Sequence, residues 1–156
     1  CARVPALIEE AEARGDLYAG VSLRLGLANA VWLFQDDVEA ARQAYDEALS
    51  LWTYPGYSVQ SYFAFLALVQ RVLYEGEATA AYERVQAEWP RLRKSGLLRV
   101  QYLRVEATHL RARAALALAT LRSGAARTRC LRMAERGAGK LAAERAPWAA
   151  ALGQLV

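Results

Sequence analysis

Between residues 97 and 122, the side chains able to do chemistry fall into two narrow rows. Gln101, Arg104, Thr108, Arg111 and Arg122 share one azimuth of a helix, while Tyr102, Glu106, His109 and Arg113 share another at steps of four, three and four. A row of guanidinium groups could hold an acidic peptide or a phosphate, because each planar fork offers two parallel hydrogen bonds to an oxyanion. A solvated face, or arginines paired with glutamates of an adjacent helix, is the simpler expectation. An imidazole three residues from a carboxylate could titrate as a switch, but a packed histidine with a local partner suits His109 better. Cys130 follows Arg127 and Arg129 and precedes Arg132, which would lower its thiol pKa if it were exposed. Its place between Arg127 and Leu131 fits a small core position more simply.

The familiar catalytic spacings are missing. The sequence has no G-x-x-x-x-G-K-[ST] phosphate loop, no H-R-D or D-F-G segment, no G-x-S-x-G and no evident Ser/His/Asp set. One histidine and two distant cysteines, Cys1 and Cys130, cannot supply a metal site at any usual spacing. No catalytic residue, metal or cofactor is expected, and the segment reads as a non-enzyme. The basic stretch 127–136 could meet nucleic acid through counterion release. It lacks interleaved aromatics and any reader motif, so nucleic acid is not an expected partner.

The 156 residues are 55% apolar and 23% charged, enough for a domain with a real core. Arginine outnumbers lysine by 18 to 2, which reads mainly as base-composition bias and weakens arginine count as a functional sign. Charge placement says more. Residues 1–83 carry 5 basic and 12 acidic side chains, residues 84–156 carry 15 basic and 4 acidic. Such asymmetry points to an anionic partner at the basic end, or to end-to-end packing of complementary surfaces. No uncharged apolar run reaches membrane-spanning length. The opening residues lack both a signal-peptide layout and an initiator Met, so a piece of a longer protein is expected. Two cysteines make no disulfide framework, and a cytoplasmic location is the expectation.

The elements that must position the two rows follow from periodicity. Residues 4–14 read as the end of an amphipathic helix, and Gly15-Asp16 break it and cap the next. Residues 17–34 are apolar nearly all round, as in a helix sandwiched between neighbours. Asp36-Asp37 cap an amphipathic helix over 38–52, and Tyr54-Pro55-Gly56 marks a loop. A second sandwiched helix is expected over 59–75 with Ser58 as its cap, then an amphipathic helix over 78–89, ended or kinked at Pro90. The longest helix covers 97–122. A basic helix follows over 126–136, Gly137-Ala138-Gly139 loosens the chain, and helices over 140–145 and 148–155 close it. The four tryptophans read as core anchors, with Trp52 and Trp89 late in equivalent helices.

Long helices thus start near 17, 58 and 97, and Ala40-Ala41 after Asp36-Asp37 is echoed by Ala80-Ala81 after Gly76-Glu77. A period near 40 residues predicts an all-α, tetratricopeptide-like solenoid of about three to four antiparallel helix hairpins. The whole of 1–156 then forms one helical-repeat domain, with units near 1–15 (partial), 16–53, 57–94, 97–137 and 140–156 (partial).

Several segments carry a resemblance. They are Arg14-Gly15-Asp16-Leu17-Tyr18 with Leu23-Arg24-Leu25-Gly26, and Leu73-Tyr74-Glu75-Gly76-Glu77 with Ala80-Ala81-Tyr82. The most specific is Trp89-Pro90-Arg91-Leu92 through Ser95, then Leu97-Leu98-Arg99-Val100-Gln101 and Arg104, ending in Leu110-Arg111-Ala112-Arg113-Ala114-Ala115. Over roughly residues 10–120 the chain resembles the helical-repeat region that follows the catalytic domain in large bacterial serine/threonine protein kinases of the myxobacterial kind. The resemblance implies a non-catalytic interaction or regulatory module whose partner is a protein or peptide, including the kinase domain of its own chain. Arg24, Asn29, Arg104, Thr108 and Arg111 are the residues expected to face that partner. A ligand-sensing region of a transcriptional regulator or signalling ATPase is the alternative.

Overall fold

A computed structural model describes residues 3–156, all of whose regular structure is helical. Cys1, counted above with Cys130, lies outside the described residues. The chain divides into two compact units, Cys1–Glu75 and Gly76–Val156.

The first unit holds α1 (Val4–Ala13), α2 (Leu17–Arg24), α3 (Gly26–Leu33), α4 (Val38–Leu51) and α5 (Val59–Tyr74). Side chains start its helices as their types require. Asp16 accepts the Ala19 amide at 2.9 Å and Asp37 the Ala40 amide at 2.9 Å, each satisfying a donor that the first turn leaves open. Ser58 and Ser61 close a reciprocal capping box on α5. α1 packs on α2, α2 and α3 on α4, and α3 on α5. Val21, Leu25, Ala48, Ala64 and Ala67 form the shared core, with Tyr45, Trp52 and Phe63 at its edge.

The expected single helix over 17–34 is two. Gly26 takes φ +58°, a left-handed conformation open to glycine, and Leu25 is extended, so the chain turns between α2 and α3. A Cβ at Gly26 would come 3.1 Å from the Phe63 ring. The apolar run is uninterrupted because both short helices are packed; hydrophobicity alone could not reveal the corner.

The second unit holds α6 (Ala78–Lys94), a 3₁₀ turn at Leu97–Arg99, α7 (Gln101–Thr120), α8 (Gly124–Ala143) and α9 (Pro147–Gln154). α7 packs on α6 and α8, and α9 on α8. One core cluster joins Val105, Leu141, Ala146 and Ala149, and another joins Leu118, Ala119 and Cys130 with Tyr82 against it.

Three expectations change here. α6 continues one turn past Pro90, whose ring sits on the exposed side, so its cost is confined to the missing backbone donor. The helix expected over 97–122 begins as the 3₁₀ turn and becomes α-helical only after the extended Val100. Gly137-Ala138-Gly139 does not loosen the chain, because α8 runs straight through it. Gly137 is buried against α7, and a Cβ there would lie 2.7 Å from the Ala112 Cβ. This glycine permits two 20-residue helices to approach closely rather than ending one.

Candidate functional site

The five residues expected to face a partner divide between the units. Arg24 and Asn29 belong to the first, and both are buried with their polar atoms engaged inside it. Arg24 is 6% exposed. Its Nη2 pairs with the Glu12 carboxylate, its Nε donates to Glu47 Oε2 at 3.1 Å and its Nη1 to the Gly20 carbonyl at 3.1 Å. Asn29 is 1% exposed, and its Nδ2 donates to the carbonyls of Arg24 and Ala41, each at 2.9 Å. Both side chains hold α1, α2, α3 and α4 together. Their polarity, read from sequence as recognition, is internal bracing of the α2–α3 corner.

Arg104, Thr108 and Arg111 are brought together on one face of α7, in the second unit. Thr108 Oγ1 donates to the Arg104 carbonyl at 2.7 Å, so its proton is committed to its own helix. Arg104 makes a two-point pair with Glu144, Nε to Oε1 at 2.6 Å and Nη2 to Oε2 at 2.9 Å, while its Nη1 donates to the Leu98 carbonyl at 3.0 Å. That guanidinium, with the Gln101 amide, holds the Glu144 carboxyl down at about 2. Arg111 lies over the Trp89 ring with its guanidinium carbon 4.3 Å from the centroid, and its Nε has no hydrogen-bond partner. Burial, and then the nearby Arg93 charge, push its pKa down. Arg122 lies beyond the end of α7.

These side chains form one wall of a groove that α6 and α8 complete. The groove holds two adjoining hollows of about 430 and 680 Å³, both lined by Trp89, Thr108, Arg111 and Lys140. α8 contributes Arg129, Arg132, Arg136 and Lys140, at steps of three, four and four. α6 adds Arg93 and Trp89. Glu144 is the one carboxylate among the lining residues, and Arg104 occupies it. Arg93, Arg111, Arg129, Arg132, Arg136 and Lys140 form no ion pair among the described residues.

Trp89, expected as a core anchor, is half-buried in the groove wall. Lys140 belongs to the same basic helix, which carries through the break expected at Gly137. The signal was present: residues 129, 132, 136 and 140 repeat at helical spacing if the helix is carried through the glycines.

The second row of α7 behaves differently. Tyr102 donates to Glu106 Oε1 at 3.0 Å, and burial, then the Glu106 charge, push the phenol up to about 12. His109 Nε2 has no hydrogen-bond partner, and burial, then Arg113, lower its pKa. The imidazole is therefore neutral near pH 7. A carboxylate-raised switch at His109 is not what this environment makes. Cys130 is buried.

No group of three or more His, Cys, Asp or Glu among the described residues could hold a metal. No helix among them is long and apolar enough to cross a membrane. Compared with protein-family models, curated proteins and solved structures, the chain matches none.

Proposed function

We propose that this chain is a non-catalytic, tetratricopeptide-like interaction module of a bacterial signalling protein, and that the α6–α7–α8 groove is the face that takes its protein or peptide partner. The observation that carries the reading is the groove's charge. Cations from three helices line it without carboxylates, apart from the Glu144 already held by Arg104. Like charges gathered on one concave face raise the local concentration of an anionic partner and speed its arrival. Residues 76–156 as a whole carry 15 basic and 6 acidic side chains, against 5 and 10 in residues 1–75.

The repeat reading has its own support. The helices α2, α5 and α7 start at Leu17, Val59 and Gln101, a spacing of 42 residues each time. Helical repeats bind along extended surfaces. The partner most in keeping with the resemblance is a segment of the kinase to which such a module would be joined.

The test is retention of peptide pools of graded net charge on the immobilised 156-residue chain. Acidic pools are expected to bind, to be released by salt, and to be lost when Arg132 and Arg136 are both changed to Glu. Equal indifference to acidic, neutral and basic pools would overturn the reading.

A further inference from the structure

The groove's chemistry goes further than an acidic partner. Resting on the interaction reading above, we infer that its occupant is a peptide carrying a phosphorylated side chain, with the phosphoryl group seated in the smaller hollow between α7 and α8.

Three observations lead there. First, the smaller hollow is crowded with charge: Arg111, Arg129, Arg132, Arg136 and Lys140 line about 430 Å³ with no carboxylate among the lining residues. A carboxylate side chain delivers a single negative charge. A phosphoryl group delivers close to two, on three acceptor oxygens, at one point.

Second, the donors suit such a group. Side chains three and four residues apart on a helix have their Cβ atoms about 5–6 Å apart. Neighbouring guanidinium forks on α8 can therefore converge on one anion, with Arg111 facing them from α7. Arg111 is fixed from behind by Trp89, 4.3 Å below its guanidinium carbon. A stacked guanidinium loses less freedom on binding than a free one. Thr108, the neutral hydroxyl in this wall, has its proton committed to the Arg104 carbonyl.

Third, the two hollows differ in charge balance. The larger one sets the Arg104–Glu144 pair beside Arg93, Arg111 and Lys140; the smaller one gathers five cations with no carboxylate. One strongly anionic anchor at one end of the groove, continued by ordinary peptide contacts, matches that asymmetry.

The experiment uses the 156-residue chain and fluorescein-labelled nonapeptide pools with degenerate flanks and a central phosphoserine, serine or glutamate, read by anisotropy. The phosphoserine pool is expected to bind at least about tenfold more tightly than the glutamate pool, a difference worth about 1.4 kcal/mol. Changing Arg132 and Arg136 to Gln should remove that preference, with unchanged circular dichroism confirming the fold.

Glutamate binding as tight as phosphoserine would overturn this inference and leave the acidic-partner reading standing. Binding of none of the pools would overturn both. Displacement of the peptide by inorganic phosphate at equal concentration, or tighter binding of a labelled oligothymidylate than of the phosphoserine pool, would show a free-anion or nucleic-acid site and overturn the peptide assignment.

Discussion

Arg104 and Glu144 meet through two parallel contacts, 2.6 Å from Nε to Oε1 and 2.9 Å from Nη2 to Oε2, and so tie the start of α7 to the end of α8. Two-point contact of this kind favours the ionised carboxylate strongly, and the Glu144 pKa falls to about 2. A carboxyl held below its unfolded value adds stability above the ordinary carboxylate range. That contribution is lost as pH falls through the folded pKa. The window here is therefore from about 4.3 down to about 2. Carboxyl chemical shifts should show Glu144 titrating near the bottom of that window, and Arg104→Gln should return it toward the ordinary range. A wild-type midpoint above about 4 would contradict the pairing.

His109 gives the opposite kind of test. The chain has one histidine, so its ring resonances need no assignment. Burial, and then the Arg113 charge, lower its pKa. A half-buried imidazole with a lowered pKa favours folding while neutral. Its contribution is complete above about 6.5 and is lost as pH falls through the folded value. The ring should titrate below about 6.5, and urea midpoints should decline as pH drops through that region. His109→Gln should flatten the decline. A ring titrating above about 6.5 would mean that a carboxylate, not burial, governs it.

Asn29 tests the bracing of the α2–α3 corner. Its amide satisfies two carbonyls, Arg24 and Ala41, from a site 1% exposed to solvent. Asn29→Leu fills similar space but leaves both acceptors without this donor, and unsatisfied buried groups cost about 1–3 kcal/mol each. A loss on the order of 2 kcal/mol is expected in urea unfolding. A loss under about 0.5 kcal/mol would place those carbonyls in contact with water.

The apolar and polar periods of α4, α5 and α7 are written plainly in the sequence, and so are the caps at Asp16, Asp37 and Ser58. Each depends on neighbours within one turn. The corner at Gly26, the straight run of α8 and the placing of Trp89 depend on contacts distant in the chain. Gly26 faces Phe63, Gly137 faces Ala112, and Trp89 faces Arg111. A glycine that bends a chain and a glycine that admits a neighbouring helix look alike in sequence. The same holds for Arg24 and Arg111. Both are arginines in helices, yet one is 6% exposed between two carboxylates and the other borders an open groove. The α7 half of the candidate site was legible; the α8 half was hidden by one misplaced helix end.

Gly137 offers a direct check of that helix end. If it marked a flexible joint, Gly137→Ala would stabilise the helix by up to about 1 kcal/mol through propensity alone. Because an added Cβ would come 2.7 Å from the Ala112 Cβ, the substitution should instead force α7 and α8 apart. Overpacking of this size costs about 1–3 kcal/mol. Ala112→Gly in the same chain should recover much of the loss, since it removes the atom that is struck. Stabilisation by Gly137→Ala alone, or no recovery in the double variant, would place the two helices farther apart than this packing requires.

The last expectation concerns what the groove does to folding. Arg129, Arg132 and Arg136 are exposed, form no ion pair among the described residues, and sit at three- and four-residue steps where like charges repel. Changing Arg132 and Arg136 to Glu turns the 129/132 and 136/140 steps from repulsion to attraction, while the two new carboxylates still repel each other and Glu135 lies three residues from the first. The urea midpoint should stay level or rise, by no more than about 1 kcal/mol in stability. Added salt should stabilise the wild-type chain more than the variant, because the row has three repulsive steps in the wild type and one in the variant. Cations kept for folding would behave in the opposite way, and their loss would lower the midpoint by more than about 1 kcal/mol. A level or raised midpoint, with anionic peptide binding abolished, would separate the two roles: the groove's charge weakens the fold slightly and is retained for recognition.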